Sequence, residues 1–357
     1  MNANPLLGVF LCWLGGVASA SFYVPFRKVR GWSWETFWLV GGVMSWIIAP
    51  WLLAGLLTHD LLGVLQGVPP SVLLWTYFFG VLWGIGGLTF GLTMRYLGMS
   101  LGMAVAMGNC AVFGTLVPPI FDHQFGQLLT QRSGIVTLIG VGVCALGIVF
   151  AGMAGISKEN ELSAEVKQAS VKEFNLKLGL ALGIFAGVMS ACFAFGLDAG
   201  NPIKAFAVAS GSSALWQGLP VLVVVLAGGF TTNFIWCVLL NTRNRSYGEY
   251  LKIPEGAAAA GKSPSMIGNY FFSFLAGAIW YMQFFFYTMG ESQMGRYKFS
   301  SWTLLMASII IFSTLWGIAL KEWHGVSRQT KALVTLTLVT LVGSTVIVGY
   351  GNYLGMQ

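Results

Sequence analysis

Charged residues are scarce in this sequence. Only 9% of its 357 residues are charged and 56% are hydrophobic, with a mean hydropathy of +0.75. An ordinary soluble domain carries about 25% charged residues, so this chain has too few charges to cover a water-soluble surface. Strands that alternate apolar and polar residues, typical of outer-membrane barrels, are also absent. The composition therefore predicts an all-α polytopic membrane protein.

Residues typical of catalysis and metal binding are few as well. The three histidines lie between apolar runs, and the five cysteines lie inside them without the spacing of a metal or redox site. Motifs of metalloproteases, serine hydrolases and phosphate-binding loops are missing. The cations are spread over short connections rather than gathered on one basic face. We therefore expect no enzyme activity, no metal, no cofactor and no nucleic-acid partner.

Ten apolar runs are long enough to cross a bilayer as helices, which takes about 20 residues. No positive segment precedes the first run, so we interpret it as a retained span rather than a secretory signal. The predicted spans are 5–26, 34–57, 72–94, 99–121, 134–153, 176–197, 213–239, 266–289, 300–320 and 333–354.

The cations are distributed unevenly between the two sides of these spans. All but four of the 19 lysines and arginines fall in the odd-numbered connections. The exceptions are Arg132, Lys204, Arg296 and Lys298. Cytoplasmic connections are enriched in Lys and Arg. The distribution thus predicts that both termini lie outside the cytoplasm.

A long polar segment divides the spans into two sets of five. It predicts a first repeat at 1–153, a cytoplasmic central loop at 154–175 and a second repeat at 176–357. An odd number of spans per half inverts the second half. Two weak internal similarities agree with a repeat. GVASASF at 16–22 resembles GVMSACF at 187–193. Gly80 and Trp83 are spaced in the chain as Gly277 and Trp280 are. We expect two inverted five-helix repeats, an arrangement that supports alternating access.

The eighth span carries a polar and aromatic face. Trp280, Gln283 and Tyr287 follow the helical spacing i, i+3, i+7. An aromatic ring can stack on the C–H face of a sugar while amide and hydroxyl groups bind its hydroxyls. The alternative is an amide bonded to a neighbouring helix, with rings that face lipid. Further candidates for the lining of a sugar site are Trp83, Asn109, Tyr23 and Trp38.

Four carboxylates lie at or inside the ends of predicted spans: Glu35, Asp198, Glu291 and Glu322. Glu35 is the first candidate for a proton-coupling group, because aromatic surroundings favour the neutral form of a carboxyl. The other three are less favoured. In a purely structural alternative, Ser33 caps the second span and Glu35 meets the positive end of its helix dipole. Arg95 is the cation nearest the predicted cavity and is assigned to gating.

Several segments resemble one known family. SASFYVPFRKVRGWSWETFW, GLTMRYLGMSLGM, WYMQFFFYTMGES and ALKEW are similar to the bacterial L-rhamnose/proton symporters of the drug/metabolite transporter superfamily. The resemblance runs from the first span to the end of the ninth and is weakest in the central loop and before the eighth span. It implies import of L-rhamnose, or a related 6-deoxyhexose or pentose, with a proton across the bacterial inner membrane.

Other functions stay open at this stage. The superfamily also contains metabolite exporters, and a sodium-coupled sugar transporter would share the same spans. A phosphate-bearing substrate would need clustered cations, so a neutral sugar fits better. A sensor or scaffold would leave the inverted repeat and the buried polar groups without a role. The expected partners are a small sugar and the lipid bilayer, and both a monomer and a homodimer are compatible with the sequence.

Overall fold

Ten long apolar helices dominate the computed structural model, which describes residues 3–97, 99–161, 175–252 and 265–357. No β-strand occurs in these ranges, and each of the ten helices is long and apolar enough to cross a bilayer. The predicted helical membrane fold is confirmed. We label the helices in chain order: α1 Pro5–Phe26, α2 Trp34–Leu57, α3 Pro70–Leu97, α4 Leu101–Phe121, α5 Arg132–Asn160, α6 Leu176–Ala209, α7 Ala214–Asn244, α8 Met266–Ser292, α9 Ser300–Ala319 and α10 Arg328–Leu354.

Several helices extend beyond their predicted ends. α5 continues to Asn160, inside the predicted central loop, and α6 continues to Ala209. Residues 162–174 of that loop lie outside the described residues. Hydropathy detects only the part of a helix that suits the bilayer, whereas Lys and Glu are good helix formers that prolong a helix into water. The sequence therefore gives the number of spans more reliably than their ends.

Four of the spans are interrupted. One is α7, which begins with the 3₁₀ turn Ala214–Trp216 ahead of the α-helix Leu219–Asn244. α1 consists of Pro5–Ser21 and Tyr23–Phe26, and α6 consists of Leu176–Ala199 and Asn201–Ala209. The second segment of α6 starts with a proline at 202, which has no N–H to continue the preceding helix. In α2, residues Met44–Ile48 form a π-helical turn in which the Ala49 N–H bonds to the Met44 carbonyl, five residues back. Wide turns of this kind are frequent at functional sites.

The helices pack in a regular pattern. α6 lies against α3 and α4, and α1 lies against α8 and α9. α7 packs on α2 and α3, while α5 and α10 make their most extensive contact with each other. Ser344 of α10 donates a hydrogen bond to the Gly140 carbonyl of α5 at 3.0 Å. Such close contacts through small residues drive helix association in a bilayer.

Glycines permit the closest approaches between helices. A Cβ atom added at Gly80 of α3 would collide with the Val225 carbonyl oxygen of α7. A Cβ atom at Gly277 of α8 would collide in the same way with the Gly41 carbonyl oxygen of α2. Any larger residue at these two positions would push the paired backbones apart.

The two ends of the bundle differ in charge. Because consecutive spans alternate in direction and number ten, Pro5 and Leu354 lie at the same end, called here the termini end. The opposite end carries Arg27 and Lys28 and is called the cation-rich end. The short helices Leu61–Gly67 and Phe125–Thr130 connect spans at the termini end.

Candidate functional site

Glu35 lies in the first turn of α2 at the cation-rich end and is only 4% exposed. Its Oε1 atom accepts hydrogen bonds from Asn244 Nδ2 at 2.9 Å and from Ser246 Oγ at 2.7 Å. Asn244 is the last residue of α7, and Ser246 follows it closely. The carboxyl therefore joins the start of α2 to the end of α7. Ser33 occupies the N-cap position without a side-chain cap bond, and its hydroxyl donates instead to Glu249 at 2.8 Å.

The turn bound by Glu35 has a constrained backbone. Arg245, between the two donors, adopts a left-handed conformation with φ 56°, which costs a residue other than glycine about 1–2 kcal/mol. Asn241 donates to the Tyr250 hydroxyl at 3.0 Å. Burial raises the pKa of Tyr250 to about 12, against the opposing effect of this hydrogen bond, so its hydroxyl stays neutral. We call Glu35, Asn241, Asn244, Ser246 and Tyr250 the Glu35 network.

A column of aromatic rings runs through the bundle towards the termini end. Ring centroids are separated by 6.1 Å for Trp38 and Trp46, 6.3 Å for Trp46 and Trp83, and 5.1 Å for Trp83 and Phe193. Phe193 then stacks on Trp302 at 5.9 Å. These separations are typical of interacting aromatic pairs. The column includes two predicted site residues, Trp38 and Trp83.

A small cavity, the aromatic pocket, opens beside this column between α1, α2 and α8. Its volume is about 210 Å³, and the side chains that form its walls are uncharged. The Trp38 indole N–H donates to Asn233 Oδ1 at 3.3 Å. Within the described part of the chain, the indole nitrogens of Trp46 and Trp280 are buried without a hydrogen-bond partner. The walls are Phe22, Phe26, Trp38, Trp46 and Trp280, and the remaining lining residues are Gly41, Gly42, Ser45, Ala276 and Gly277.

The predicted face of α8 is largely buried. Gln283 is 5% exposed, and its Oε1 atom has no hydrogen-bond partner among the described residues. Tyr287 is 3% exposed and accepts a weak hydrogen bond from Ser301 at 3.3 Å. Trp280 lines the aromatic pocket, whereas Tyr287 lies about two turns further along α8 and packs against Trp302. A buried amide oxygen without a partner costs about 1–3 kcal/mol, so Gln283 has capacity to bind a polar ligand.

A second cavity, the charged cleft, lies at the termini end and encloses about 420 Å³ between α4, α6, α8 and α9. Glu291 lines it and forms an ion pair with Lys204, whose Nζ atom lies 2.8 and 2.9 Å from the two carboxylate oxygens. The two side chains are only 8% and 12% exposed. The pair fixes the short second segment of α6 to the end of α8.

A second, more exposed pair lies in the charged cleft. Lys298 approaches Asp198 at 3.4 Å, with side chains 38% and 25% exposed, and Asn201 donates to the same carboxylate at 2.6 Å. Nearby, partial burial and then the charge of Asp198 raise the pKa of Asp122, against the opposing charges of Lys298 and His123. The cleft therefore concentrates carboxylates and cations at one end of the aromatic column.

The chain matches a protein family over almost its whole length. The model of the family described as L-rhamnose-proton symport protein covers residues 1–354. The chain belongs to this family. The L-rhamnose-proton symporter of Klebsiella pneumoniae (strain 342) is 37% identical over 352 residues, which cover 98% of this chain and 99% of the relative. That of Cronobacter sakazakii (strain ATCC BAA-894) is 37% identical over 346 residues, covering 97% of each. Both names are those of transport proteins, not enzymes.

Seven predicted site residues of this symport-family member are not among the lining residues of the two cavities. Glu35, Trp83 and Gln283 are described above, and the other four follow. Asn109 donates to the Val105 carbonyl of its own helix at 2.8 Å. Arg95 is exposed, with its guanidinium 5.9 Å from the ring of the adjacent Tyr96. Glu322 forms a long, exposed ion pair with Arg27 at 3.8 Å. Tyr23 is 52% exposed and stacks on Trp38, at the edge of the aromatic pocket.

Sequence reasoning missed several residues of the site. The partners of Glu35 lie 209 and 211 positions away in the chain, so no local pattern reveals them. Lys204 was counted only as a cation of an even-numbered connection. Trp46 lies in a π-helical turn, and in the sequence it is one of several tryptophans in apolar runs. A signal for Lys204 exists, because a cation that the fold buries needs a partner carboxylate at the same end.

Proposed function

We propose that the chain imports L-rhamnose together with a proton across the bacterial inner membrane. The observation that carries this proposal is the family match over residues 1–354, with relatives of 37% identity named L-rhamnose-proton symporters. The aromatic column supports it, because the uncharged rings of Trp38, Trp46 and Trp83 suit a neutral sugar. Ion pairs or hydrogen-bonded carboxyls at both ends of the column supply the two closures that alternating access requires.

Glu35 is our first candidate for the group that carries the proton. Its burial supports this choice. The bonds from Asn244 and Ser246 stabilise the charged carboxylate, so uptake of a proton would have to weaken them. Adding a proton to the accepting carboxylate would alter the contact between α2 and α7 at the cation-rich end. Asp198 and Glu291 are second candidates. Glu322 is the weakest, because its side chain is 47% exposed.

For the sugar we propose the face of α8 that carries Trp280, Gln283 and Tyr287, together with Trp83 and Trp38. The unpartnered Gln283 oxygen supports this assignment, because a sugar hydroxyl could donate to it. The aromatic contacts of Trp83 with Trp46 and Phe193 support a continuous path for the sugar along the column.

We also propose that the two halves form an inverted repeat. Glycines at corresponding positions of the two halves make corresponding contacts. Gly80 of α3 lies against α7, as Gly277 of α8 lies against α2. Gly187 of α6 lies against Asn109 of α4, as Gly16 of α1 lies against Ser308 of α9. The packing of α6 on α3 and α4 likewise corresponds to that of α1 on α8 and α9. In this arrangement one half would rock against the other around a site near the bilayer midplane.

The proposed orientation places both termini in the periplasm. An epitope tag at either terminus should be reached by a membrane-impermeant reagent in intact spheroplasts. A tag inserted in the segment 162–174 serves as the control and should react only after lysis. The opposite pattern, with terminal tags protected until lysis, would reverse the orientation.

Transport is tested by the pH of a weakly buffered suspension of de-energised cells that express the protein. Adding L-rhamnose should make the medium more alkaline, because each sugar that enters removes a proton. A protonophore and cells without the protein should abolish the change. Sugar uptake without alkalinisation would favour sodium coupling, and no uptake of any related sugar would favour a metabolite exporter.

A further inference from the structure

The aromatic pocket combines two properties that a single ligand would satisfy. It lies near the middle of α2 and α8. The described residues that line it are aromatic residues, glycines, Ser45 and Ala276, and none of these carries a charge. Two of its wall residues, Trp46 and Trp280, have buried indole N–H groups without partners among the described residues. A buried donor without a partner is costly. A neutral ligand with one apolar edge and several oxygens fits both properties.

The backbone around Trp46 is built to hold that side chain at the pocket. The π-helical turn Met44–Ile48 contains Trp46, which is 3% exposed. A Cβ atom at Gly42 would lie 2.8 Å from the Trp46 ring, so the ring depends on the absence of a side chain there. By contrast, the Trp38 N–H is already bound by Asn233. Trp46 and Trp280 are therefore the wall residues with donors to offer.

Most of the 210 Å³ of the aromatic pocket is open space at its mouth, and the enclosed part has room for about one water-sized or methyl-sized group. It can hold one edge of a sugar. L-rhamnose differs from an ordinary hexose in that its carbon 6 is a methyl group. We propose that the aromatic pocket binds the methyl edge of a 6-deoxy sugar, with Trp46 and Trp280 donating hydrogen bonds to sugar oxygens at its rim.

This proposal rests on the proposed function and adds its specificity determinant. The methyl group occupies the apolar space beside Ala276, where a single methylene or methyl is worth about 10–200-fold in discrimination. The indole donors bind oxygens that are common to related sugars. The pocket thus makes two separate contributions to binding. The methyl contact selects the 6-deoxy sugar, and the indole hydrogen bonds raise the affinity for the 6-deoxy sugar and for related sugars alike.

Two kinds of variant test the two contributions separately. Purified protein in vesicles is assayed by counterflow of labelled L-rhamnose, with unlabelled L-rhamnose or L-lyxose as competitor. L-lyxose is the same sugar without carbon 6. Trp46→Phe and Trp280→Phe keep a ring and remove the N–H, so the half-saturating concentrations of both sugars should rise about tenfold with their ratio unchanged. Ala276→Val should raise the half-saturating concentration of L-rhamnose about tenfold and leave that of L-lyxose unchanged.

Trp13 provides a matched control. Its indole N–H is also buried without a partner among the described residues, and its ring packs on Phe312, outside the pocket. Trp13→Phe should bind both sugars as the unmodified protein does. Unchanged binding in Trp46→Phe and Trp280→Phe, or an equal loss of both sugars in Ala276→Val, would overturn the proposal. If Ala276→Val does not fold, the proposal is tested by the binding of both sugars to the two Trp→Phe variants. Absence of counterflow in the unmodified protein would instead count against the proposed function.

Discussion

Lys204→Ala is expected to destabilise the protein by about 3–5 kcal/mol. Removing one partner of a buried ion pair leaves the other charge without compensation, and here the Glu291 carboxylate would stay buried beside Tyr287. Both side chains of the pair are almost fully buried, so water cannot take the place of the lost ammonium group. The measurement is thermal or denaturant unfolding of the purified protein in detergent, compared with the unmodified chain.

Lys298→Ala is the matched control for this effect. Its pair with Asp198 lies in the same cleft but is longer and more exposed, and such pairs contribute about 0–1 kcal/mol. The double variant Lys204→Met with Glu291→Leu should recover most of the lost stability, because apolar residues can replace a buried pair. Equal unfolding of Lys204→Ala and Lys298→Ala would mean that the Lys204 pair is solvated in the membrane-bound protein.

Glu35→Gln is expected to abolish uphill accumulation of L-rhamnose and to preserve sugar exchange. One proton that crosses a potential of 100 mV supplies about 2.3 kcal/mol, enough for about 50-fold accumulation. The amide still accepts from Asn244 and Ser246 through its oxygen, so the fold should be retained, but it cannot carry a proton. Uptake in energised vesicles and counterflow in de-energised ones measure the two activities.

Glu249→Gln is the control for this prediction. Glu249 lies at the same end and accepts two hydrogen bonds from Ser33, whereas the Glu35 carboxyl accepts its bonds from Asn244 and Ser246. Its amide variant should accumulate sugar as the unmodified protein does. Full accumulation by Glu35→Gln would exclude Glu35 as the coupling group and direct attention to Asp198 and Glu291.

The sequence predicts the ten spans because the bilayer imposes one length and excludes charge, and both requirements are visible along the chain. It predicts the face formed by Trp280, Gln283 and Tyr287 because helical spacing is local. It does not predict that Asn109 bonds its own helix, since depth in the membrane gives no information on side-chain direction. It also misses Trp46, because one more tryptophan in an apolar span carries no local sign that its ring lines a cavity.

Pairings between distant helices are equally invisible in the sequence. Asn244 and Ser246 meet Glu35, and Lys204 meets Glu291, across long stretches of chain. Each of these contacts joins a polar residue to a partner that only the tertiary fold brings near. The sequence could thus point to candidate residues on α2 and α8, but not to the contacts that Glu35 and Glu291 make.

The pairing of α5 with α10 has a consequence for biosynthesis. Ser344 and Gly140 are 204 positions apart, so α5 enters the membrane long before its main partner has been translated. Until the last helix is inserted, the small-residue face of α5 must remain against lipid or be shielded by another protein. Long-range contacts form late and leave such surfaces open to misassembly. Completion of the ten-helix bundle is therefore tied to translation of α10.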